Sequence, residues 1–229
     1  MRLQKPSHLL CIFRKTMKST LMVQHVLKRV LDLALSAILL IMFSVPLVLI
    51  AFALRRESEG PVLFKQERTG KDGRVFTLYK LRSMKILTEQ SNAFHGEQNV
   101  TTLGKVLRRW RIDEIPQFIN VLRGEMSVVG PRPTLPYQAK RYDPEQRRRL
   151  DVKPGLTGWS QIHGDSAISW PDRIVLDLWY VDNWSLWLDL KIMLLTPGAL
   201  LRIRKINAEQ APPPDEISSL PQDKSAAEE

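Results

Sequence analysis

The longest apolar stretch of the chain runs from residue 33 to residue 54, and its 22 residues include no charged side chain. Fourteen of them are Leu, Ile, Val or Phe. A helix of this length and hydrophobicity can cross a hydrocarbon core of about 30 Å. The stretch is too long, and begins too far into the chain, for a cleaved signal peptide. We therefore predict a membrane helix here.

Two features bear on whether this helix crosses the membrane or turns back. Basic pairs flank both ends, Lys28-Arg29 before it and Arg55-Arg56 after it, and basic residues mark the cytoplasmic side. Pro46 lacks an amide donor and Ser44 has a hydroxyl for a freed carbonyl, so these two residues predict a membrane break. The pattern leaves two structures open, a kinked spanning helix and a re-entrant helix-break-helix with both ends on one side.

After the membrane segment the pattern becomes that of a small α+β unit. Residues 61–84 predict a β-hairpin that turns near Gly70 and Gly73. Lys80 and Arg82 share one face of the second strand, where two cations either hold a phosphate or lie in solvent. The polar residues 85–102 predict a loop that is long enough to form a lid over a site.

Two short helices are predicted next. The apolar residues 103, 106, 107 and 110 follow helical spacing. Asp113 and Glu114 stand at the predicted start of the second helix, with Pro116 in its first turn. We expect both carboxylates to stay ionised there, because the helix dipole and nearby arginines favour the charged form. Most such pairs are helix caps, although an Asp can also attack phosphorus and a Glu can bind Mg²⁺.

Two segments rich in Pro and Gly supply candidate phosphate ligands. Arg132 lies between two prolines, so it loses little backbone entropy on binding and suits bidentate phosphate recognition. A rigid surface turn with a salt bridge is the alternative interpretation. Residues 153–158 combine Lys153 with two glycines and a threonine, and amides in such turns can cradle phosphate oxygens.

The C-terminal third changes pattern again. Residues 174–201 are rich in Leu, Ile and Trp but carry charges, which predicts an amphipathic helix in the headgroup layer, with core packing of the aromatics as the alternative. We divide the chain into a basic N-terminal extension (1–27), a membrane helix (28–56), a globular domain (57–203) and an acidic tail predicted to be disordered (204–229).

The charge distribution narrows the candidate functions only slightly. The formal net charge is +10; residues 1–29 contribute +7 and residues 208–229 contribute −5, which leaves +8 for the middle. A basic middle suits nucleic acid, anionic lipid or a phosphorylated substrate equally. Cys11 is the only cysteine, so an intrachain disulfide is excluded.

Five motifs in this order resemble the bacterial sugar transferase family, the monotopic polyprenyl-phosphate hexose-1-phosphate transferases. The resemblance runs from about Lys28 to Pro197. It implies an α+β, mainly α fold with a re-entrant helix-break-helix, a small β-hairpin, a catalytic helix and amphipathic interfacial helices. The motifs are KRVLD at 28–32, YKLRSM at 79–84, DEIPQ at 113–117, VGPRP at 129–133 and PGLTGW at 154–159.

The resemblance also implies a reaction. Asp113 would attack the sugar-bearing phosphate of a UDP-sugar, forming an aspartyl-phosphosugar and releasing UMP. Undecaprenyl phosphate would then accept the phosphosugar, in the first membrane step of exopolysaccharide, O-antigen or glycan biosynthesis. Glu114 would bind Mg²⁺. The matching phosphate-binding positions are Arg108, Arg132, Lys80, Arg82 and Lys153.

Two departures from the family pattern limit what the resemblance implies. Ser44-Val45-Pro46 stands where the family often has Ser-Pro, and His163-Gly164-Asp165 stands where it often has Asn-Gly-Arg. The second replaces a frequent cation with an acid, so donor specificity does not carry over. Residues 167–170 resemble members that act on acetamido sugars, which slightly favours that class over glucose or galactose.

The expected location is the cytoplasmic face of the bacterial inner membrane, in contact with membrane lipid. A homo-oligomer is left open. The main rival is a membrane-tethered nucleic-acid-binding regulator, which the arginines near residue 110 favour, but a DNA-reading motif is lacking and we expect no nucleic-acid partner. A catalytically silent scaffold is the second rival, and the intact Asp113, Glu114 and Arg132 argue against it.

Overall fold

The computed structural model describes residues 8–84 and 100–209, with side chains for residues 21–84, 100–165 and 167–202. Within these ranges the chain is mainly helical with two small sheets, which confirms the predicted α+β, mainly α class. The helices are α1 (His8–Met42), α2 (Ser44–Glu57), α3 (Thr102–Arg109), α4 (Gln117–Arg123), α5 (Pro136–Lys140), α6 (Pro144–Arg147), α7 (Trp159–Ile162), α8 (Trp170–Asp182) and α9 (Leu186–Glu209); the strands are β1 (Leu63–Thr69), β2 (Val75–Leu81), β3 (Ser127–Val129) and β4 (Gly155–Thr157).

Helices α1 and α2 meet at Phe43 with a bend of 57°. The Ser44 hydroxyl donates to the carbonyl of Ile41 at 2.7 Å, and Pro46 lies in the first turn of α2, where a missing amide donor is tolerated. The helix therefore breaks where these two residues predict. In the part of the chain that the structure describes, no single helix is long and apolar enough to cross a membrane; α1 from Leu21 reaches that size only together with α2.

The N-terminal motif at residues 28–32 holds α1 against the rest of the chain. Helix α1 continues through residue 28, so the predicted basic extension and the membrane segment share one helix. The motif's side chains bind backbone and carboxylate groups of α4, β3 and α9. Lys28 donates to the Val129 carbonyl and Asp189, Arg29 donates to the carbonyls of Val121 and Leu122, and Asp32 accepts from Ser127 Oγ and the Val128 amide.

Strands β1 and β2 form the predicted hairpin, with Leu63 opposite Leu81 and Thr69 opposite Val75. The sequence pattern did not predict the second sheet, in which β3 and β4 run parallel. This sheet joins the segment that ends in Arg132 to the segment that follows Lys153. The two Pro- and Gly-rich segments are therefore neighbours.

Three glycines allow this close approach. A Cβ on Gly130 would lie 2.3 Å from the carbonyl oxygen of Lys153, and one on Gly158 would lie 2.2 Å from the carbonyl oxygen of Gly130. A Cβ on Gly155 would lie 2.1 Å from the Gly130 amide nitrogen. The Gly155 amide donates to the Pro131 carbonyl at 2.9 Å. The prediction that these glycine amides cradle a phosphate is thus wrong for Gly155, whose amide is already bonded.

The main hydrophobic core lies between β2, α4, β3, α8 and α9. A smaller cluster of Leu54, Leu81 and Leu107 joins the end of α2 to β2 and α3. Both ends of the bent helix pair thus pack on one unit. The fully buried members of the main core include Leu78, Val121, Met126, Val129 and Ile192.

The C-terminal stretch predicted as one interfacial helix is two helices, α8 and α9. The alternative of core packing holds for Tyr180, which is buried and donates to Asp189 at 2.7 Å. Trp187 and Leu194 instead expose 73% and 78% of their surface. The predicted lid falls largely on residues 85–99, and most of the predicted tail on residues 210–229, which lie outside the described residues.

Candidate active site

Asp113 and Glu114 lie in a one-turn 3₁₀ segment, Ile112–Glu114, between α3 and α4. Arg111 precedes this turn with φ 54°, a left-handed conformation that reverses the chain after α3. Pro116 follows it and precedes the first residue of α4. We predicted the acids at the start of this helix and Pro116 in its first turn; instead the acids lie in the separate 3₁₀ turn, and Pro116 is the N-cap residue of α4. Asn120 on α4 then accepts from the Tyr79 amide and donates to the Thr77 carbonyl, which fixes α4 against β2.

Three cationic side chains surround the Glu114 carboxylate. Its Oε1 accepts from Lys80 at 3.0 Å and from Arg132 at 3.1 Å, and its Oε2 lies 3.4 Å from Arg111. Burial would raise the pKa of this carboxyl, but Arg132, Lys80 and Arg111 outweigh burial and hold its pKa well below the usual range. The expectation that Glu114 stays ionised agrees with this environment.

Asp113 has a different environment. Among the described residues, its carboxylate has no hydrogen-bond or ion-pair partner, although the residue is only 7% exposed. Burial, followed by the adjacent Glu114 charge, raises the pKa of Asp113, while Lys80, Arg108 and Arg111 act in the opposite direction. We expected the helix dipole and the nearby arginines to favour the charged form of Asp113, whereas burial disfavours that form. A desolvated carboxylate whose lone pairs are unengaged is suited to nucleophilic attack.

Arg132 reaches Glu114 from a rigid loop. The loop is held on one side by the Gly155 amide, which donates to Pro131. On the other side the buried Arg149 lies under it, paired with Asp177 at 2.5 Å. The pKa of Arg132 is raised, chiefly by Glu114. The predicted Arg132 therefore joins Glu114, and its side chain remains 37% exposed to receive a ligand.

The structure does not bring Arg82 to this cluster. Its guanidinium is buried and donates to the carbonyls of Leu54, Ser58 and Glu59, at the C-terminal end of α2. The prediction that Lys80 and Arg82 hold a phosphate together is corrected, because these bonds occupy Arg82 in fastening α2 to the hairpin. Of Lys80 and Arg82, only Lys80 contacts Glu114.

Lys153 also lies apart from the acids. Its Nζ and the Arg29 guanidinium both come within 4 Å of the position of a Cβ on Gly124, at the C-terminal end of α4. Burial, followed by the charge of Arg29, lowers the pKa of Lys153. The predicted grouping of Lys153 with the other phosphate ligands is therefore not observed.

Arg108 keeps its predicted place near the acids. Its Nε donates to the Ser83 hydroxyl at 2.8 Å, and its charge lowers the pKa of Asp113. Sequence reasoning missed Arg111 and Asp165, which form an ion pair beside Glu114. The pattern placed Arg111 in a general basic cluster, and the two residues are too far apart in sequence for any periodicity to link them.

We tested whether these residues fit Mg²⁺. The described residues contain no group of three or more His, Cys, Asp and Glu side chains that could enclose a metal ion. Mg²⁺ is commonly held by one or two carboxylates together with substrate phosphates and water. Glu114 supplies that donor type, but both of its oxygens already face cations, so a metal ion that arrives with a phosphorylated substrate would have to displace one of them.

Comparison with known proteins identifies the family. A model of the bacterial sugar transferase family matches residues 23–203. The uncharacterized sugar transferase EpsL of Bacillus subtilis is 46% identical over 177 residues, which cover 77% of this chain and 88% of that protein.

Two further relatives carry a named reaction. The UDP-glucose:undecaprenyl-phosphate glucose-1-phosphate transferase of Escherichia coli is 41% identical, over 76% of this chain and 40% of that protein. The UDP-N-acetylgalactosamine-undecaprenyl-phosphate N-acetylgalactosaminephosphotransferase of Aeromonas hydrophila is 42% identical, over 76% and 44%. The chain thus spans less than half the length of these two proteins. The resemblance read from the five motifs is confirmed, and the chain belongs to the bacterial sugar transferase family.

Proposed function

We propose that this chain moves a sugar-1-phosphate from a UDP-sugar to undecaprenyl phosphate. The proposal rests on the different environments of two neighbouring acids. Glu114 is surrounded by three cations, while Asp113 has no hydrogen-bond or ion-pair partner among the described residues. A site built this way has a free nucleophile beside a cluster that recognises phosphate. The family and the named reactions of the relatives support the same reaction class.

The reaction has two displacements at one phosphorus. An oxygen of Asp113 attacks the phosphorus that bears the sugar, the bond from that phosphorus to the UMP oxygen breaks, and UMP leaves. A phosphate oxygen of undecaprenyl phosphate then attacks the aspartyl-phosphosugar. The bond to Asp113 breaks, which regenerates the carboxylate and gives the lipid diphosphate-sugar.

The cations around Glu114 supply the charge that the donor requires. Lys80, Arg111 and Arg132 are paired with Glu114 and partly exposed, so each can turn a donor group toward an entering phosphate. Bound at Glu114, Mg²⁺ would neutralise donor phosphate charge and make UMP a better leaving group. EDTA should therefore stop turnover, and added Mg²⁺ should restore it.

We propose that the bent helix pair is re-entrant. Lys28, Arg29 and Asp32 fasten α1 to α4, β3 and α9, and Arg82 fastens the end of α2 to the hairpin. Both ends of the pair therefore contact the unit that carries Asp113. Between these anchors the bend exposes large apolar side chains that suit a hydrocarbon environment, among them Ile41, Val45, Val48, Leu49 and Phe52.

We propose that Asp113 lies on the cytoplasmic face of the bacterial inner membrane, where UDP-sugars are available, because the basic pairs at both ends of the helix pair favour that side. The named relatives act on glucose and on N-acetylgalactosamine, so they do not select one donor for this chain. The preference for an acetamido sugar rests on the sequence resemblance at residues 167–170. Screening UDP-sugars with the purified protein identifies the donor.

The central test is the identity of the released nucleotide. Purified protein with Mg²⁺, undecaprenyl phosphate and a UDP-sugar pool should release UMP, and Asp113→Asn should abolish release. Asp72→Asn is the matched control, since Asp72 lies in the exposed hairpin turn at φ 57°, which Asn tolerates. Release of UDP would refute the covalent scheme, because it indicates direct transfer of the sugar.

The topology has its own test. Single cysteines replace Val30 and Arg56, both exposed and on either side of the bend, in a Cys11→Ser background. A membrane-impermeant maleimide should label both positions from the same side of the membrane. Labelling from opposite sides would establish a spanning helix and end the re-entrant proposal.

A further inference from the structure

Arg111 is shared between two acids. Its Nη1 lies 3.4 Å from Glu114 Oε2, and its Nη2 forms a closer bond with Asp165 Oδ2. Arg111 is 28% exposed at the side chain and Asp165 only 6%. The tighter contact is thus the one to the more buried acid, which lies 54 residues further along the chain.

The backbone at both ends of this pair is unusual. Arg111 and Asp165 have φ of 54° and 47°, the left-handed region in which residues with a Cβ are uncommon. Gly164 supports the second turn at φ 149°, where a Cβ would lie 2.7 Å from Ile168. Two strained turns that meet through their charged side chains indicate a geometry maintained for a purpose.

The two acids that Arg111 contacts are thus Glu114 and Asp165, and neither contact involves its near neighbour Asp113. Arg111 is two residues from Asp113, whose carboxylate has no partner within the described ranges. Glu114 already receives Lys80 and Arg132 on its other oxygen. Without Asp165, only the longer 3.4 Å contact to Glu114 Oε2 would hold the guanidinium. A charge-assisted hydrogen bond from it to Asp113, two residues away, would occupy the nucleophile's lone pairs.

We propose that Asp165 is a positioning residue that restrains Arg111, so that Arg111 serves the phosphate-binding cluster without pairing with the nucleophile Asp113. This rests on the proposed function, since it assigns the nucleophile to Asp113.

The test uses the full chain in detergent with UDP-sugar, Mg²⁺ and undecaprenyl phosphate, and measures kcat and donor KM. Asp165→Asn keeps a residue that tolerates positive φ but removes the charge. Its kcat should fall about tenfold or more, the effect of one new hydrogen bond on the nucleophile, and donor KM should rise because Arg111 leaves the phosphate-binding cluster. Adding Arg111→Gln to this variant should raise kcat again by about fivefold, because the released cation is gone.

A purely structural role for Asp165 would not give this recovery. An Asp165→Asn enzyme with wild-type kcat, or a double variant no faster than Asp165→Asn, would overturn the proposal. If Asp165→Asn unfolds, Asp165→Gly provides the same comparison with a residue suited to φ 47°. Failure of the wild-type chain to release UMP refutes the proposed function instead, and this inference with it.

Discussion

Replacing Arg82 and Lys80 separately distinguishes a cation that stabilises the fold from one that belongs to the proposed phosphate-binding cluster. The two residues are two positions apart in one motif, yet their side chains have different partners. Arg82 donates to three carbonyls at the end of α2, at 2.9 Å to Leu54, 2.7 Å to Ser58 and 2.5 Å to Glu59. Lys80 binds the Glu114 carboxylate. We expect Arg82→Met to lower stability and Lys80→Met to lower activity.

The free energy of unfolding lost in Arg82→Met depends on which of the three hydrogen bonds water can replace. A net hydrogen bond from a charged group contributes about 1.5–3 kcal/mol when it is buried. Leu54 is fully buried, whereas Ser58 and Glu59 are partly or largely exposed, so water can replace the bonds to those two carbonyls. The loss of the bond to Leu54, together with about 0.3–1 kcal/mol for a cation at a helix C-terminus, gives about 3 kcal/mol.

The assay is thermal unfolding followed by tryptophan fluorescence, in one detergent and at one scan rate. For a chain of this size, about 3 kcal/mol lowers Tm by about 6–12 °C. Lys80→Met should stay within about 4 °C of the wild type. Well below both midpoints, UMP release by Arg82→Met should remain within about threefold of wild type, while Lys80→Met should lose more than about tenfold.

An unchanged Tm for Arg82→Met together with a sharply raised donor KM would refute this assignment. That result would mean that the guanidinium leaves the α2 carbonyls and contacts the donor.

Two further substitutions test how the site is supported. Asp189 accepts from Lys28 at 2.5 Å, Tyr180 at 2.7 Å and Trp184 at 3.2 Å, so Asp189→Asn should cost about 3–5 kcal/mol of unfolding free energy in the same assay; a Tm shift below about 4 °C would contradict it. Gly130→Ala should lower kcat for UMP release by about tenfold or more, because the new Cβ would meet the Lys153 carbonyl and displace Arg132; full activity would contradict the packing.

Local sequence chemistry predicted the break, the hairpin and the acids because each depends on residues close together in the chain. Ser44 and Pro46 act within one helical turn, and Asp113 and Glu114 lie just before Pro116, the N-cap residue of α4. The role of Arg82 could not be predicted in this way. Strand alternation places Arg82 beside Lys80, but its partners are carbonyls 23 to 28 residues away, and which carbonyls lack a donor is known only once α2 is packed.

The pKa of Asp113 likewise depends on residues that are distant in the sequence, so the sequence alone did not predict its shift. The helix start and the nearby arginines predicted a lowered pKa, since each stabilises a carboxylate. In the folded chain the nearest cations pair with Glu114, and burial raises the pKa of Asp113. Two adjacent acids thus acquire opposite pKa shifts: cations from β2, the end of α3 and the loop after β3 lower the pKa of Glu114, whereas burial raises that of Asp113. The sequence shows which charged residues are present, but it does not show which cation pairs with which acid.

The anchors of the bent helix pair lie, along the chain, next to the cations that pair with Glu114. Lys28 binds the carbonyl of Val129, three residues before Arg132, and Arg82 follows Lys80 by two residues. On the proposed topology, the contacts that fasten the pair to the globular unit also fix the position of Arg132 and Lys80 relative to the bilayer. A transferase whose acceptor is a lipid phosphate needs its nucleophile at one height above the membrane, and short rigid connections secure that height better than a flexible linker would.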